Sequence, residues 1–109
     1  MKFTFIETPT FTKRLFQVWN EEEYMEFQEV LLNNPQAGKV IVGGEGLRKV
    51  RYKTKGKGKS GGVRIIYFAA LSRDIIVMLD VYSKSDKADL SKSELRQLAE
   101  EKRRMLGDK

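Results

Sequence analysis

Phe3 and Phe5 alternate with Lys2, Thr4 and Ile6, and this period of two predicts a strand over residues 1–7. Thr8 and Pro9 break the alternation with a helix-start signature, a capping hydroxyl followed by a proline in the first turn. Phe11, Leu15 and Val18 or Trp19 then recur at the helical period. Asn20 with Glu23 three residues later is a capping box, so a second helix begins there. Its apolar stripe is Tyr24, Phe27, Val30 and Leu31, and Glu21, Glu22 and Glu23 sit where the helix dipole favours acids. Asn33, Asn34 and Pro35 end it.

Beyond that breaker the period returns to two. Residues 33–46 contain Gly38, Gly43, Gly44 and Gly46 and read as a loop in which Val40, Ile41 and Val42 pair briefly. Strands are predicted over 47–54, 63–70 and 75–83, joined by a glycine–lysine tip at 56–62 and a turn at Ser72, Arg73 and Asp74. Ser91 with Glu94 is another capping box. It opens a C-terminal helix with Leu95, Leu98, Ala99 and Leu106 inside and Lys92, Arg96, Lys102, Arg103 and Arg104 outside. The order β-α-α-β-β-β-α, with short links between the last three strands, predicts an antiparallel meander with helices on one face. Residues 1–109 thus read as one α+β domain.

Composition narrows the chemistry more than the fold. Among 109 residues there is no cysteine and no histidine. Disulfides, thiol nucleophiles, histidine acid–base pairs and the usual zinc and haem ligands are therefore excluded, and no cofactor is expected. The longest apolar run, residues 65–71, is far too short to span a membrane, and the first residues lack a signal-peptide core. A cytoplasmic protein without membrane contact is expected.

Charge adds the main lead. Of 21 basic residues, eight lie in residues 46–64 without an acid among them, leaving 13 elsewhere against 15 acids. One short segment makes the chain basic, as expected of a polyanion-binding face, although a solvated lysine loop has the same composition. Two nucleotide-binding motifs in this segment fail on context. Gly56, Gly58 and Gly61 match a dinucleotide fingerprint, but between two strands, with no helix N-terminus to hold a pyrophosphate. Gly58-Lys59-Ser60 matches the end of a P-loop whose first glycine would fall on Lys53.

Strand alternation sorts the basic residues by face. Lys49, Arg51 and Lys53 share one side of their strand, with Val50 and Tyr52 on the other. In the last strand Val77, Leu79 and Val81 suit the core, which places Met78, Asp80 and Tyr82 opposite. If the meander pairs in order, Lys49, Arg51, Arg64, Asp80 and Tyr82 meet on the face without helices, with Lys84 just past the strand end. Cations there stabilise a phosphorane-like charge, and a tyrosine donates a proton or stacks on a base. RNA carries its own nucleophile, the 2′-hydroxyl, so this composition permits metal-free RNA cleavage. It equally permits a binding surface.

Several short runs also carry a resemblance. They are Phe27-Gln28, Leu32 with Asn34-Pro35 and Gly38, and Gly46-Leu47-Arg48-Lys49 with Arg51. The Gly56-Lys57-Gly58-Lys59 tip with Gly61-Gly62 follows, then Arg64-Ile65-Ile66-Tyr67, Tyr82 with Lys84, and Asp89-Leu90. From about residue 3 to residue 105 the chain resembles the HigB/RelE family of type II toxin–antitoxin systems, its HigB branch in particular. The resemblance implies a RelE-like α+β fold, with a sheet packed by two N-terminal helices and one C-terminal helix. It implies a ribosome-dependent endoribonuclease that cuts mRNA in the A site by 2′-hydroxyl attack, without a metal, and so inhibits translation and growth. Its catalytic residues match Lys49, Arg51 and Arg64. The late tyrosine of RelE-like members falls on Ser91 here, and Tyr82, with Lys84 near it, is the nearest substitute. Arg48, Lys53, Lys55, Lys57 and Lys59 are the expected RNA grips. The implied partners are the ribosome, mRNA and a cognate antitoxin, HigA-like with a helix-turn-helix domain, through which alone operator DNA would be contacted. A non-catalytic RNA- or ribosome-binding module remains the alternative. A DNA-binding accessory protein fits less well, because the basic residues lie on strands and a hairpin.

Overall fold

One hydroxyl sets the entry to the fold. Thr8 Oγ accepts the Phe11 N–H at 3.1 Å and donates to the Leu79 carbonyl at 3.0 Å, so the cap of the first helix is also a tie to the last strand. The computed structural model describes residues 2–53 and 62–108. In chain order it has β1 (Thr4–Glu7), α1 (Pro9–Val18), α2 (Glu21–Asn33), β2 (Lys39–Val40), β3 (Arg48–Tyr52) and β4 (Val63–Ala70). A 3-10 turn (Leu71–Arg73), β5 (Ile75–Ser83) and α3 (Lys92–Leu106) complete it. Both capping boxes form, at Asn20 with Glu23 and at Ser91 with Glu94. Among the described residues no helix is long and apolar enough to cross a membrane.

The mixed α+β fold matches expectation, with three corrections. The five strands lie in the order β1-β5-β4-β3-β2, and β1 runs parallel to β5, so the sheet is mixed rather than a pure antiparallel meander. A parallel neighbour needs a long connection, and here everything between Thr8 and Asp74 supplies it. The helices also do not share one face. The α1 and α2 residues Phe11, Leu15, Phe27 and Leu31 pack against Ile65, Tyr67, Ile76 and Met78. Leu98 and Ala99 of α3 pack on the opposite face, against Leu47, Ile66, Val77 and Leu79. The cause is β4 and β5 themselves, which are apolar on both sides and need two covers.

The third correction concerns register. Ile66 pairs with Asp80 and Tyr67 with Met78, so Leu79 is an extra residue and β5 carries a bulge. Alternation slips by one there. Leu79 faces α3 while Val81 joins the α1/α2 core, and the two do not share a side as expected.

The outer edge of the sheet is pinned from its centre. The fully buried Tyr67 hydroxyl accepts the Gly38 N–H at 2.8 Å and donates to the Pro35 carbonyl at 2.9 Å. Arg48 donates to the Gly38 carbonyl at 2.7 Å. Glycine is required at 38, since a Cβ there would stand 2.9 Å from the Tyr67 ring and 3.0 Å from the Lys49 carbonyl oxygen. Removing the hydroxyl orphans two backbone groups. Tyr67→Phe is expected to lower stability by about 1–3 kcal/mol, measured by urea unfolding.

Candidate functional site

Three adjacent strands bring cations together at one end of the α3 face. Arg51 of β3 lies opposite Arg64 of β4, and Arg64 opposite Tyr82 of β5. Lys49 follows Arg51 on the same side of β3, and Lys39 of β2 lies opposite Lys49. Lys39, Lys49, Arg51 and Arg64 line one cavity of about 370 Å³, with Ala37 and Ala88 on its walls. Arg64 is only 8% exposed, whereas Arg51 lies open to solvent. Lys49 Nζ contacts the Asp89 carboxylate at 3.2 Å. That carboxylate is held below its ordinary range, first by the Leu90 N–H and then by Lys49. Four cations around a concave site are what a phosphate group needs.

Tyr82 stands in the same row but is covered. It is 3% exposed, and its buried hydroxyl has no hydrogen-bond partner among the described residues. The Lys87 ammonium lies 4.8 Å from its ring centroid. Burial pushes the hydroxyl up to about 12, Asp89 and Asp80 add to the rise, and Arg64 pulls against it. The group stays protonated near neutral pH, so it has a proton to give and cannot act as a base there. The ring faces a second cavity, of about 320 Å³, lined by Arg14, Lys87 and Glu94 among others.

Asp80 does not join the cationic row, against expectation. It keeps Tyr82's side of β5, opposite Ile66, and is engaged there by Arg14 of α1, whose Nη1 donates to both its oxygens at 3.0 and 3.1 Å. Lys87 approaches at 3.7 Å. Burial outweighs these cations and raises the Asp80 carboxyl above its ordinary value. Lys87 also contacts Glu94 at 2.7 Å, and with the Ser91 N–H it lowers the Glu94 carboxyl to about 2. This chain of ions ties α1, β5, residues 84–90 and α3 together over Tyr82. The face carrying the cations is also not helix-free, because α3 covers its other end.

The remaining expected residues are dispersed. Arg48 points to the opposite face and serves Gly38. Lys53 is exposed one residue past β3, and Lys84 is exposed past β5 with its N–H donating to the Gly62 carbonyl at 3.4 Å. Lys55, Lys57 and Lys59 lie outside the described residues. Two cavity neighbours were missed. Lys39 precedes the short apolar run at 40–42, whose pairing partner alone could have revealed it. Asp89 was legible only as part of the Asp89-Leu90 run.

Comparison with known proteins places this arrangement. The family model described as RelE toxin of RelE / RelB toxin-antitoxin system matches residues 9–107. The chain belongs to the RelE toxin family. A solved structure of E. coli toxin RelE, an arginine-to-alanine double mutant in the free state, is similar in fold, with a TM-score of 0.59 at 15% identity. That likeness covers 94% of this chain and 98% of the other. Membership in the RelE family makes this chain the toxin half of a toxin–antitoxin pair.

Two measurements follow from the site's electrostatics. Glu94 is ordinarily half-ionised at 4.5 and here near 2. A carboxyl lowered by folding stabilises the fold above its unfolded value and loses that contribution as pH falls towards the folded one. Glu94→Gln, which keeps a capping side chain, is expected to unfold about 0.5–1 kcal/mol more easily at pH 7. That gap should close between pH 4.5 and about 2 in pH-dependent unfolding. Tyr82→Phe deletes an unpartnered hydroxyl, so its unfolding free energy should stay within about 0.5 kcal/mol of the parent.

Proposed function

We propose that this RelE-family chain is a ribosome-dependent, metal-free mRNA endoribonuclease that cuts in the A site and arrests translation and growth. The observation that carries this is the register row Arg51–Arg64–Tyr82, whose two arginines line, with Lys49, a cavity of phosphate-binding chemistry. Arg64 and Arg51 hold the non-bridging oxygens of the scissile phosphate and stabilise the charge that grows on them. The adjacent 2′-hydroxyl attacks phosphorus and its proton passes to the Asp89 carboxylate, which Lys49 contacts at 3.2 Å. The bond to the 5′-oxygen breaks, leaving a 2′,3′-cyclic phosphate and a 5′-hydroxyl. Tyr82, protonated at neutral pH, donates to the departing oxygen once residues 84–90 lift from it. Lys84 and Lys53 steer the nucleic acid from the rim.

The late tyrosine at the end of β5 supports a HigB-like branch; that branch implies a HigA-like antitoxin with a helix-turn-helix domain, and a ribosomal target implies action in the cytoplasm. Operator DNA is then met only through the antitoxin. One observation favours a second function, a non-catalytic RNA- or ribosome-binding module: the hydroxyl of Tyr82 is covered in the free chain.

Ribosomes paused on a defined mRNA separate the two by primer extension, with the same mRNA free of ribosomes alongside. A cut within the A-site codon, seen only with ribosomes, is the expected result. Arg64→Ala should lower the cleavage rate about a hundredfold or more and abolish growth arrest. Arg64→Lys, which keeps the charge, controls for folding. No cut by the parent protein, with binding intact, leaves the binding module.

A further inference from the structure

Two rows of cations cross the open end of the sheet. Arg51 and Arg64, opposed across β3 and β4, form the first row. Lys39 and Lys49, opposed across β2 and β3, lie two residues along. Strand spacing and rise place the Lys39 backbone roughly 8 Å from Arg51 and roughly 12 Å from Arg64. The second row is thus offset from the first by about 7 Å along the strands. The offset between the rows is comparable with the step between consecutive phosphates of an extended single strand. Lys39 nevertheless lines the same cavity as Arg51 and Arg64, so a bound strand passes from one row to the other without leaving it.

Lys39 is also held in place, unlike a lysine on a frayed edge. Its preceding residue, Gly38, donates to the buried Tyr67 hydroxyl at 2.8 Å and accepts from Arg48 at 2.7 Å. These bonds fix the two-residue strand β2 to the central strands. A cation positioned by buried bonds loses little backbone freedom when it binds.

Resting on the RNA-cleavage function above, we propose that Lys39 forms a second phosphate subsite. It grips the backbone phosphate next to the one being cut and so sets the path of the single strand across the sheet. Contact with a phosphate carries no base information, so this subsite aligns the strand and leaves base choice to other residues.

The test compares the parent protein with Lys39→Ala on ribosome-paused mRNAs carrying a single neutral methylphosphonate, placed at the phosphate just 5′ or just 3′ of the mapped cut. At one of these positions the neutral group should lower the parent's kcat/KM about tenfold. Lys39→Ala should lose about as much on the natural mRNA and nothing further on that modified one. Independently, binding of short single-stranded RNA to the protein alone should show a weaker salt dependence. The slope of log affinity against log salt should fall by about 0.7 in Lys39→Ala. Penalties that multiply at both positions, or an unchanged salt slope, overturn the subsite. If the parent makes no cut, the cleavage function falls, and the salt slope alone decides the subsite. Lys39→Gln, matched to the parent in unfolding midpoint, repeats both arms against any folding defect.

Discussion

Val63, Ile65 and Tyr67 point to α1 and α2, while Ile66 and Phe68 point to α3, so β4 is buried on both faces over most of its length. The same holds for β5. Such strands tolerate charge where a covering helix stops or, as at Asp80, where partner ions meet it. Arg64 sits near the start of β4 and Tyr82 near the end of β5, and antiparallel pairing brings those two ends together. The cationic site therefore lies where the two-sided core runs out. Arg64, 8% exposed, lies at that boundary with the cavity on one side and packed strands on the other.

The outer strands then extend the site sideways. β3 carries Lys49 and Arg51 because only its Val50 and Tyr52 side is needed by the α1/α2 core. β2 is two residues long and has little burial of its own, and it stays in place through Tyr67 and Arg48. A buried hydroxyl at the centre of the sheet thus fixes a lysine at its edge.

On the other flank, the β5 bulge returns Val81 to the α1/α2 core. Asp80, opposite Ile66, is held by Arg14 and Lys87. Lys87 then links Asp80 to Glu94, the capping residue of α3. The cap of the last helix and the cover over Tyr82 are consequently parts of one ion chain.

The amino-acid sequence alone determined the local elements, because their signals are local. Thr8 with Pro9, Asn20 with Glu23, and Ser91 with Glu94 mark helix starts within four residues of chain. Period-two alternation gave β3 to β5 and sorted Lys49 and Arg51 from Val50 and Tyr52. The concentration of basic residues, and the runs that resemble the toxin family, were legible for the same reason. Tertiary structure alone decided which side α3 covers, that β1 lies parallel to β5, that Val81 changes side, and that Asp80 meets Arg14 while Lys39 and Asp89 draw near the cationic site. Each depends on pairing between residues distant in sequence, or on a single extra residue in one strand. A one-residue slip reverses every side chain beyond it, and no local pattern records where the partner strand will take up the slack.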